Sequence, residues 1–178
     1  MFETYFVGLP EDQSKELQKV EQYLKSITGD VGSVNQWRST TLAILRKGAV
    51  DKLRSTTDAV IDSIVKRINS IMDDISDVKG SEARDQSLKA LINSSIDLSR
   101  LVRVQKAVFK MVMPVIEGHH ISTFDAETME DMGVEDEDEG SEIYCVMFPG
   151  MIKEGDESGE HTQFRNVIAK ARVLCSPD

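Results

Sequence analysis

The sequence is poor in cysteine and aromatic residues and has no long apolar run, and each shortage excludes a class of protein. Its 178 residues include two cysteines, too few for the disulfide framework of a small secreted domain. Aromatic residues make up 6% of the chain, so we expect a core of packed aliphatic side chains. No apolar run approaches the roughly 18 residues that cross a bilayer, and no charged-then-apolar leader opens the chain. We therefore expect a cytoplasmic protein that makes no membrane contact.

Basic residues are also in short supply. The chain has 31 acidic and 21 basic residues, which gives a net charge of -10. The excess is local, because residues 125–142 contain ten acidic residues and no basic ones. The rest of the chain is balanced and has no basic surplus to displace counterions from phosphates, so we expect no nucleic-acid partner. Residues 135–139 are five consecutive carboxylates, and we expect a solvated acidic loop over 133–142.

Motifs for catalysis, metal binding or phosphate binding are not recognisable. His119 and His120 are adjacent, so they lack the i, i+4 spacing that puts two imidazoles on one helix face. An EF-hand register with Gly140 at the sixth position would place Val146 where calcium needs a bidentate carboxylate. No glycine-rich phosphate loop and no nucleophile elbow occur. We therefore predict no enzyme activity, no metal and no cofactor.

The first two thirds of the chain carry helical periodicity. Apolar residues recur at spacings of three and four after Pro10, which predicts a helix that ends at Gly29. A second helix is expected from a cap at Ser33 to Gly48. A fourth is expected to begin at Ser81 and to continue to residue 113, since proline follows at 114.

The third helix has the clearest pattern and suggests a mode of assembly. Its heptad-like seam predicts an oligomer interface, and the short link at residues 80–81 predicts an antiparallel αα-hairpin with the fourth helix. Because a lone hairpin would expose apolar surface, we expect a homodimer formed through residues 50–112. The alternative is that the first two helices complete a four-helix bundle within one chain. The predicted interface residues are Leu53, Val60, Ile64, Ile68, Ile71 and Ile75, with Thr57 and Val78 also on the seam.

Residues 114–178 are predicted to form a small β domain after a helical domain of residues 1–113. Residues 143–148 are apolar on both faces of a strand, and Pro149 with Gly150 predicts a turn. Residues 167–175 predict a closing strand. Cys145 and Cys175 lie in these two runs, either as reduced thiols or as a pair across adjacent strands. The expected fold class is α+β, with an antiparallel helical bundle or coiled-coil stalk followed by a mainly antiparallel β unit.

Three phrases in the last third of the chain follow the order of a known β domain. Phe124-Asp125 opens the β region, and Ile143, Val146 and Gly150 keep the spacing Ile-x-x-Val-x-x-x-Gly. Residues 167–173 then resemble a closing strand of the type Val-Leu-Arg-Pro-Ala-x-Val. In these features the chain resembles GrpE proteins, the nucleotide-exchange partners of heat-shock chaperone ATPases. It departs from them at residue 126, where alanine replaces proline, and at residue 129, where methionine replaces histidine.

The resemblance implies a function without catalysis. Two chains would pair through their helices and present the β unit to the nucleotide-binding domain of a chaperone, favouring its nucleotide-free form. By resemblance, the contact surface would comprise Gly150, Met151, Ile152 and Lys153. The other interpretation is a self-associating helical scaffold whose β unit or acidic loop binds an unrelated basic partner.

Overall fold

The computed structural model describes residues 5–77, 80–116, 123–133 and 141–176. The chain divides into two compact units, Met1–Lys106 and Ala107–Asp178. In the described residues four helices come first and two three-stranded sheets follow, so the predicted α+β class is confirmed. The helices of the first unit are α1 (Glu11–Thr28), α2 (Val31–Gly48), α3 (Val50–Ile75) and α4 (Glu82–Arg103).

The helix ends largely follow the local chemistry of the sequence. Pro10 precedes the first residue of α1, and Gly29 ends that helix in the left-handed conformation with φ 64°. The Ser81 hydroxyl accepts a hydrogen bond from the backbone N–H of Arg84 and caps α4 as predicted. The cap of α2 differs from the prediction, because the Asp30 carboxylate accepts the hydrogen bond from the backbone N–H of Ser33 at 3.0 Å.

Helices α3 and α4 run antiparallel, as the short connection predicted. The Lys89 ammonium pairs with Asp62 at 2.8 Å. Arg84 lies earlier in α4 and pairs with Asp73, which lies later in α3, at 3.0 Å. Residues further along α4 therefore contact residues earlier in α3, and the two helices form the expected αα-hairpin.

The buried face of α3 is displaced from the predicted seam. Leu53 and Thr57 are buried as expected, but the next buried positions are Ile61 and Val65. This spacing of four turns the buried face away from the seam, because Ile92 and Ile96 of α4 pack there. The seam residues that flank this face, partly buried, are Val60, Ile64 and Ile68.

An N-terminal segment completes the helical core. Tyr5, Phe6 and Val7 are buried, with Phe6 only 1% exposed. Phe6 packs with α2 and α3, whereas Val7 packs with α3 and α4. The Arg100 guanidinium donates two hydrogen bonds to the Val7 carbonyl, at 3.1 and 2.9 Å, and lies over the Phe6 ring. Apolar packing and the hydrogen bonds from Arg100 thus both hold this segment in place.

The second unit begins earlier than the sequence predicted. Helix α4 ends at Arg103, and residues 108–112, expected to continue it, form strand β1 (Val108–Val112). The boundary between the units therefore lies at residues 106 and 107 and not at 113 and 114. The reason is pairing: β1 finds an antiparallel partner in residues 150–154, and β-branched and aromatic residues suit a pleated surface.

Two sheets make up the described part of the β unit. Its strands after β1 are β2 (Met129–Asp131), β3 (Ile143–Phe148), β4 (Gly150–Glu154), β5 (Arg165–Ala169) and β6 (Ala171–Cys175). One sheet has the order β1-β4-β5 and the other has the order β2-β6-β3. Among these strands all pairings are antiparallel except β2 with β6, so the predicted mainly antiparallel unit is confirmed.

Pro149 and Gly150 do not form the reversing turn that the sequence predicted. One residue, Pro149, separates β3 from β4, and one residue, Lys170, separates β5 from β6. Because β3 pairs with β6 and β4 pairs with β5, the four strands form one long hairpin that passes between the sheets at these two residues. The predicted closing strand of residues 167–175 is therefore two strands. Phe124, Ile143 and Val173 form the buried core of the β2-β6-β3 sheet.

Candidate functional site

The four residues expected to contact a partner lie in β4, the central strand of its sheet. Gly150 is buried, and Met151, Ile152 and Lys153 are partly buried. Their backbone groups face β1 on one side and β5 on the other. The ammonium of Lys153 is paired with Glu157. Strand β4 is therefore largely covered, and the exposed residues of this sheet lie on the neighbouring strands β1 and β5.

A buried carboxylate ties the three strands of this sheet together. Glu154 of β4 is 9% exposed. It pairs with Lys110 of β1 at 2.6 Å and with Arg165 of β5 at 3.3 Å. Two opposite charges across the sheet offset the cost of burying this carboxylate, and one of them links β5 to β4.

Strand β5 is exposed along its whole length. All five of its residues are exposed, and it is the last strand of the β1-β4-β5 order. Large apolar side chains lie uncovered on and beside it, including Ile168 at 54% and Phe164 at 61% exposure. Exposed apolar surface of this kind on a small unit is typical of a protein-contact site.

An open groove of about 610 Å³ lies where the long hairpin passes between the sheets. Arg172 lines this groove, and its guanidinium pairs with Glu130 at 3.2 Å and lies 6.0 Å from the centre of the Phe148 ring. Lys170 is exposed and also lines the groove. The groove thus combines an exposed aromatic ring with two cations and one carboxylate. Its lining residues are Glu130, Phe148, Pro149, Ala169, Lys170 and Arg172.

This surface was not predicted from the sequence, although a signal was present. Residues 163–176 contain three basic residues and no acidic ones, in a chain with a net charge of -10. The overall charge does not reveal this local basic excess, because acidic and basic residues are equal in number over the whole chain outside residues 125–142.

The loop between β4 and β5 brings three potential metal ligands together. Ligand atoms of Asp156, Glu160 and His161 lie within 4.8 Å of one another. The Asp156 carboxylate already accepts hydrogen bonds from the backbone N–H groups of Ser158 and Glu160. The Glu160 backbone hydrogen bond, foremost among several such bonds, lowers the pKa of Asp156. Hydrogen bonds within a tight loop therefore explain why these three side chains lie close together.

The predicted interface residues of α3 divide into two groups. Leu53 is buried within its own chain, and Val60, Ile64 and Ile68 pack against the hairpin core. Ile71 and Ile75 are exposed, at 51% and 74%. Among the described residues of α4, Leu91 and Leu98 are also exposed, at 64% and 50%. The surface open to a second copy therefore lies on the last turns of α3 and the outer face of α4.

The two cysteines are free thiols. In the β3–β6 ladder Cys175 lies opposite Ile143, and Cys145 lies opposite Leu174, so the two side chains are not partners. Burial and then the neighbouring Asp131 carboxylate raise the pKa of Cys175 to about 11. At neutral pH this thiol is protonated and a poor nucleophile.

Some predictions fall on parts of the chain outside the described ranges. His119, His120, Gly140 and the acidic run of residues 135–139 are among them, as is Val78 of the predicted seam. Within the described part of the chain, no helix has both the length and the apolar character that crossing a membrane requires.

The chain is similar to a part of one curated protein. The whole chain aligns with Leashin of Aspergillus fumigatus at 25% identity over 194 aligned positions. The chain spans 3% of the length of that protein. No protein-family model matches the chain. No solved structure matches it.

Proposed function

We propose that the chain is a non-enzymatic adaptor module whose β unit binds a partner protein. The observation that supports this most directly is the exposed apolar surface of the β unit, where Phe148 is 57% exposed beside the exposed strand β5. Aromatic side chains make effective contacts because they bury a large area at a low cost in conformational entropy. The alignment along a small part of a much longer protein is compatible with a module of a multidomain chain.

The partner we propose is a heat-shock chaperone ATPase, on which the chain acts as a GrpE-like nucleotide-exchange factor in the cytoplasm. The order of helices followed by a compact β unit supports this proposal, as does the resemblance in residues 124–173. Strand β4, with Gly150, Met151, Ile152 and Lys153, then underlies the contact surface, and the exposed side chains beside it reach the partner.

Exchange of this kind requires only unequal binding to two states of the partner. If the β unit binds the nucleotide-free chaperone more tightly than the ADP-bound form, it shifts the chaperone towards release of ADP. A coupling of 1–3 kcal/mol corresponds to roughly 5- to 150-fold between the two affinities. No acid, base or nucleophile takes part.

The test is ADP release from a chaperone ATPase of the same organism, followed with a fluorescent ADP analogue. We expect the full chain to accelerate release, and Phe148→Ser with Ile168→Ser to abolish the acceleration. Both side chains are exposed, so the fold is expected to survive. Tyr23→Ser is the control, because Tyr23 is as exposed but lies on α1 of the helical unit. Unchanged ADP release with the unmodified chain contradicts the exchange function.

Self-association through the helices is a second candidate, supported by the exposed leucines and isoleucines of α3 and α4. Ile64→Asp would unfold the hairpin core, because Ile64 packs inside one chain. Leu98→Asp is a better probe, since Leu98 is half exposed. We expect a dimer in sedimentation at micromolar concentration, and a folded monomer for Leu98→Asp. Sedimentation of the unmodified chain as a monomer contradicts this candidate and leaves the β-unit proposal untouched.

A further inference from the structure

The β1-β4-β5 sheet has no buried apolar side chain. The apolar residues of its three strands are all exposed or partly buried. Within the described part of the β unit, the buried cluster of Phe124, Ile143 and Val173 includes no residue of these strands. A sheet normally buries one of its faces against another layer of structure. This sheet therefore has apolar surface available for a further layer.

The strand register shows which of the two faces is the more apolar. Residues directly opposite each other share a face, as do alternate residues of one strand. On one face the Glu154 carboxylate lies between Lys110 and Arg165 and pairs with both. The other face, which we name the Met111 face, comprises Phe109, Met111, Met151, Lys153, Asn166 and Ala169.

Phe164 extends the Met111 face beyond the strands. The Gly155 N–H donates a hydrogen bond to the Phe164 carbonyl at 3.0 Å, so the β4–β5 ladder continues by one step. Phe164 precedes Asn166 by two residues and therefore lies on the same face. Its side chain is 61% exposed, and that of Met111 is 45% exposed. Methionine and aromatic side chains of this kind are enriched in protein interfaces.

A single helix matches the width of this face. Neighbouring strands lie about 4.8 Å apart, so the two outer strands of the β1-β4-β5 order are separated by about 10 Å. A helix with its side chains is about 10–12 Å across. One amphipathic helix laid on the Met111 face would therefore cover all three strands and supply the missing layer.

The charge of the β unit favours a basic helix. Residues 107–178 contain 16 acidic and 5 basic residues. The loop of residues 155–163, between β4 and β5, has three acidic residues and no lysine or arginine. It adjoins the Met111 face, because the Glu157 carboxylate pairs with Lys153 of that face. A second copy of this unit is a poor occupant, since two units with the same strong charge repel each other.

We propose that the Met111 face binds a basic amphipathic helix of a partner protein. The apolar stripe of that helix contacts Met111, Met151 and Phe164, and its lysine or arginine side chains lie beside Glu157 and Glu160. This inference rests on the proposed protein-binding role of the β unit and names the kind of segment that the unit binds.

The probe is a fluorescein-labelled 14-residue peptide with two copies of the repeat Leu-Lys-Lys-Leu-Leu-Lys-Leu, titrated with the full chain and followed by fluorescence anisotropy. This repeat places its leucines on one side of a helix. A second peptide has the same composition but alternates leucine and lysine within each repeat, the pattern of a strand. We expect the helical peptide to bind at least about tenfold more tightly than the alternating one.

One pair of variants tests the apolar contact. Met111→Ser with Phe164→Ser should weaken binding of the helical peptide at least about tenfold, because two exposed apolar side chains are lost. Tyr144→Ser with Met147→Ser is the matched control and should leave the affinity unchanged. Tyr144 and Met147 are exposed by 73% and 47%, but they lie on β3 of the other sheet.

A second pair of variants tests the position of the charge. Glu160→Lys should weaken binding of the helical peptide about fivefold, since it replaces an attraction by a repulsion. Glu127→Lys makes the same change in net charge at an exposed residue next to β2 of the other sheet, and it should have little effect.

Four results would overturn the proposal. Equal affinity for the two peptides excludes a helical occupant, and an affinity that Met111→Ser with Phe164→Ser leaves unchanged excludes this face. Equal weakening by Glu160→Lys and Glu127→Lys means that only the overall charge attracts the peptide. A chain that does not bind the peptide but sediments as a dimer, which Met111→Ser with Phe164→Ser dissociates, assigns the face to a second copy.

The ADP-release assay separates this inference from the function on which it rests. A chain that accelerates ADP release but does not bind the helical peptide overturns helix binding alone. A chain that binds this peptide through the Met111 face but leaves ADP release unchanged supports helix binding and contradicts the chaperone partner.

Discussion

Gly150 lies at the point where the long hairpin passes between the sheets, and it matters there for its size. A Cβ atom at this position would lie 2.8 Å from the backbone nitrogen of Ala171 and 3.0 Å from the carbonyl oxygen of Ala169. Because both neighbours are backbone atoms, they cannot move aside as a flexible side chain does. Gly150 is not among the described residues with a positive φ, so the lack of a side chain, and not an unusual backbone conformation, explains the glycine.

We expect Gly150→Ala to destabilise the β unit by roughly 1–3 kcal/mol, the usual cost of overpacking. Unfolding of the full chain in urea, followed by Tyr144 and the other aromatic residues of the unit, measures this. Gly133→Ala is the matched control, because its Cβ would meet Leu174 at an ordinary 3.4 Å. Equal stability of the two variants would contradict the close approach at Gly150. The same strain makes a charged substitution at Gly150 unsuitable as a probe of partner contact.

Glu21 is a second residue whose environment has a measurable consequence. It is 7% exposed and pairs with Lys25 at 2.7 Å. Burial by itself raises its pKa, but Lys25, the Tyr5 hydroxyl and the charge of Arg38 together bring it below the usual value. Because the folded pKa is lower than the unfolded value of about 4.3, the carboxylate stabilises the fold above that pH. This contribution is lost as the pH falls through the folded pKa.

We therefore expect Glu21→Gln to be less stable than the unmodified chain at pH 7 by roughly 1–3 kcal/mol, since buried Arg38 loses a neighbouring negative charge. The difference between the two should shrink as the pH is lowered below about 4. Thermal unfolding at a series of pH values measures both effects. Glu11→Gln removes an exposed pair with Lys15 from the same helix and should leave stability almost unchanged. A pH-independent loss in Glu21→Gln would exclude the electrostatic explanation.

At the scale of elements, residues 5–7 pack with the four helices and form part of the core of the helical unit. Phe6→Ala removes a side chain that is 1% exposed and packs with Leu42 and Leu53. We expect a loss of about 3–5 kcal/mol in unfolding free energy. Tyr23→Ala removes a comparable side chain that is 64% exposed, and it should cost far less. Helical circular dichroism in urea compares them, and equal losses would place Phe6 outside the core.

The same elements show how far the sequence determines the structure. The four helices follow from apolar spacing and from local end signals, because these act within a few residues. Strand β1 was missed because Val108–Val112 is apolar enough to extend a helix, and its partner β4 lies about 40 residues away. The buried face of α3 shifted to Ile61 and Val65 because Ile92 and Ile96 of α4 pack there together with Val7, which is distant in sequence.

The candidate site was only partly predictable from the sequence, because it also depends on pairing between strands that are distant in sequence. Residues 150–153 were correctly expected in the β unit, but whether a strand is central or at an edge depends on the order in which strands pair. Exposure of β5 depends on that order, in which β5 is the last strand of its sheet. Lys170 and Phe148 meet at one groove only because β3 pairs with β6.

At the scale of the whole molecule, the chain separates its charges within a single unit. The acidic surplus lies in residues 125–142, while β5 and β6 carry basic residues and no acidic ones. Complementary charge on a partner raises the rate and the selectivity of protein association. We therefore propose that the β unit binds a partner and that two chains assemble through the outer faces of α3 and α4.

The measurement that tests this account most directly is the affinity of the full chain for the chaperone ATPase with and without saturating ADP. Thermodynamic linkage applies in both directions. If the chain weakens the binding of ADP to the chaperone, ADP weakens the binding of the chain to the chaperone by the same factor. Calorimetric titration of the nucleotide-free chaperone should give a dissociation constant that ADP raises at least about fivefold, the lower end of typical coupling. Phe148→Ser should weaken binding in both conditions. Equal affinity with and without ADP, or no binding to the nucleotide-free chaperone, would contradict the exchange function.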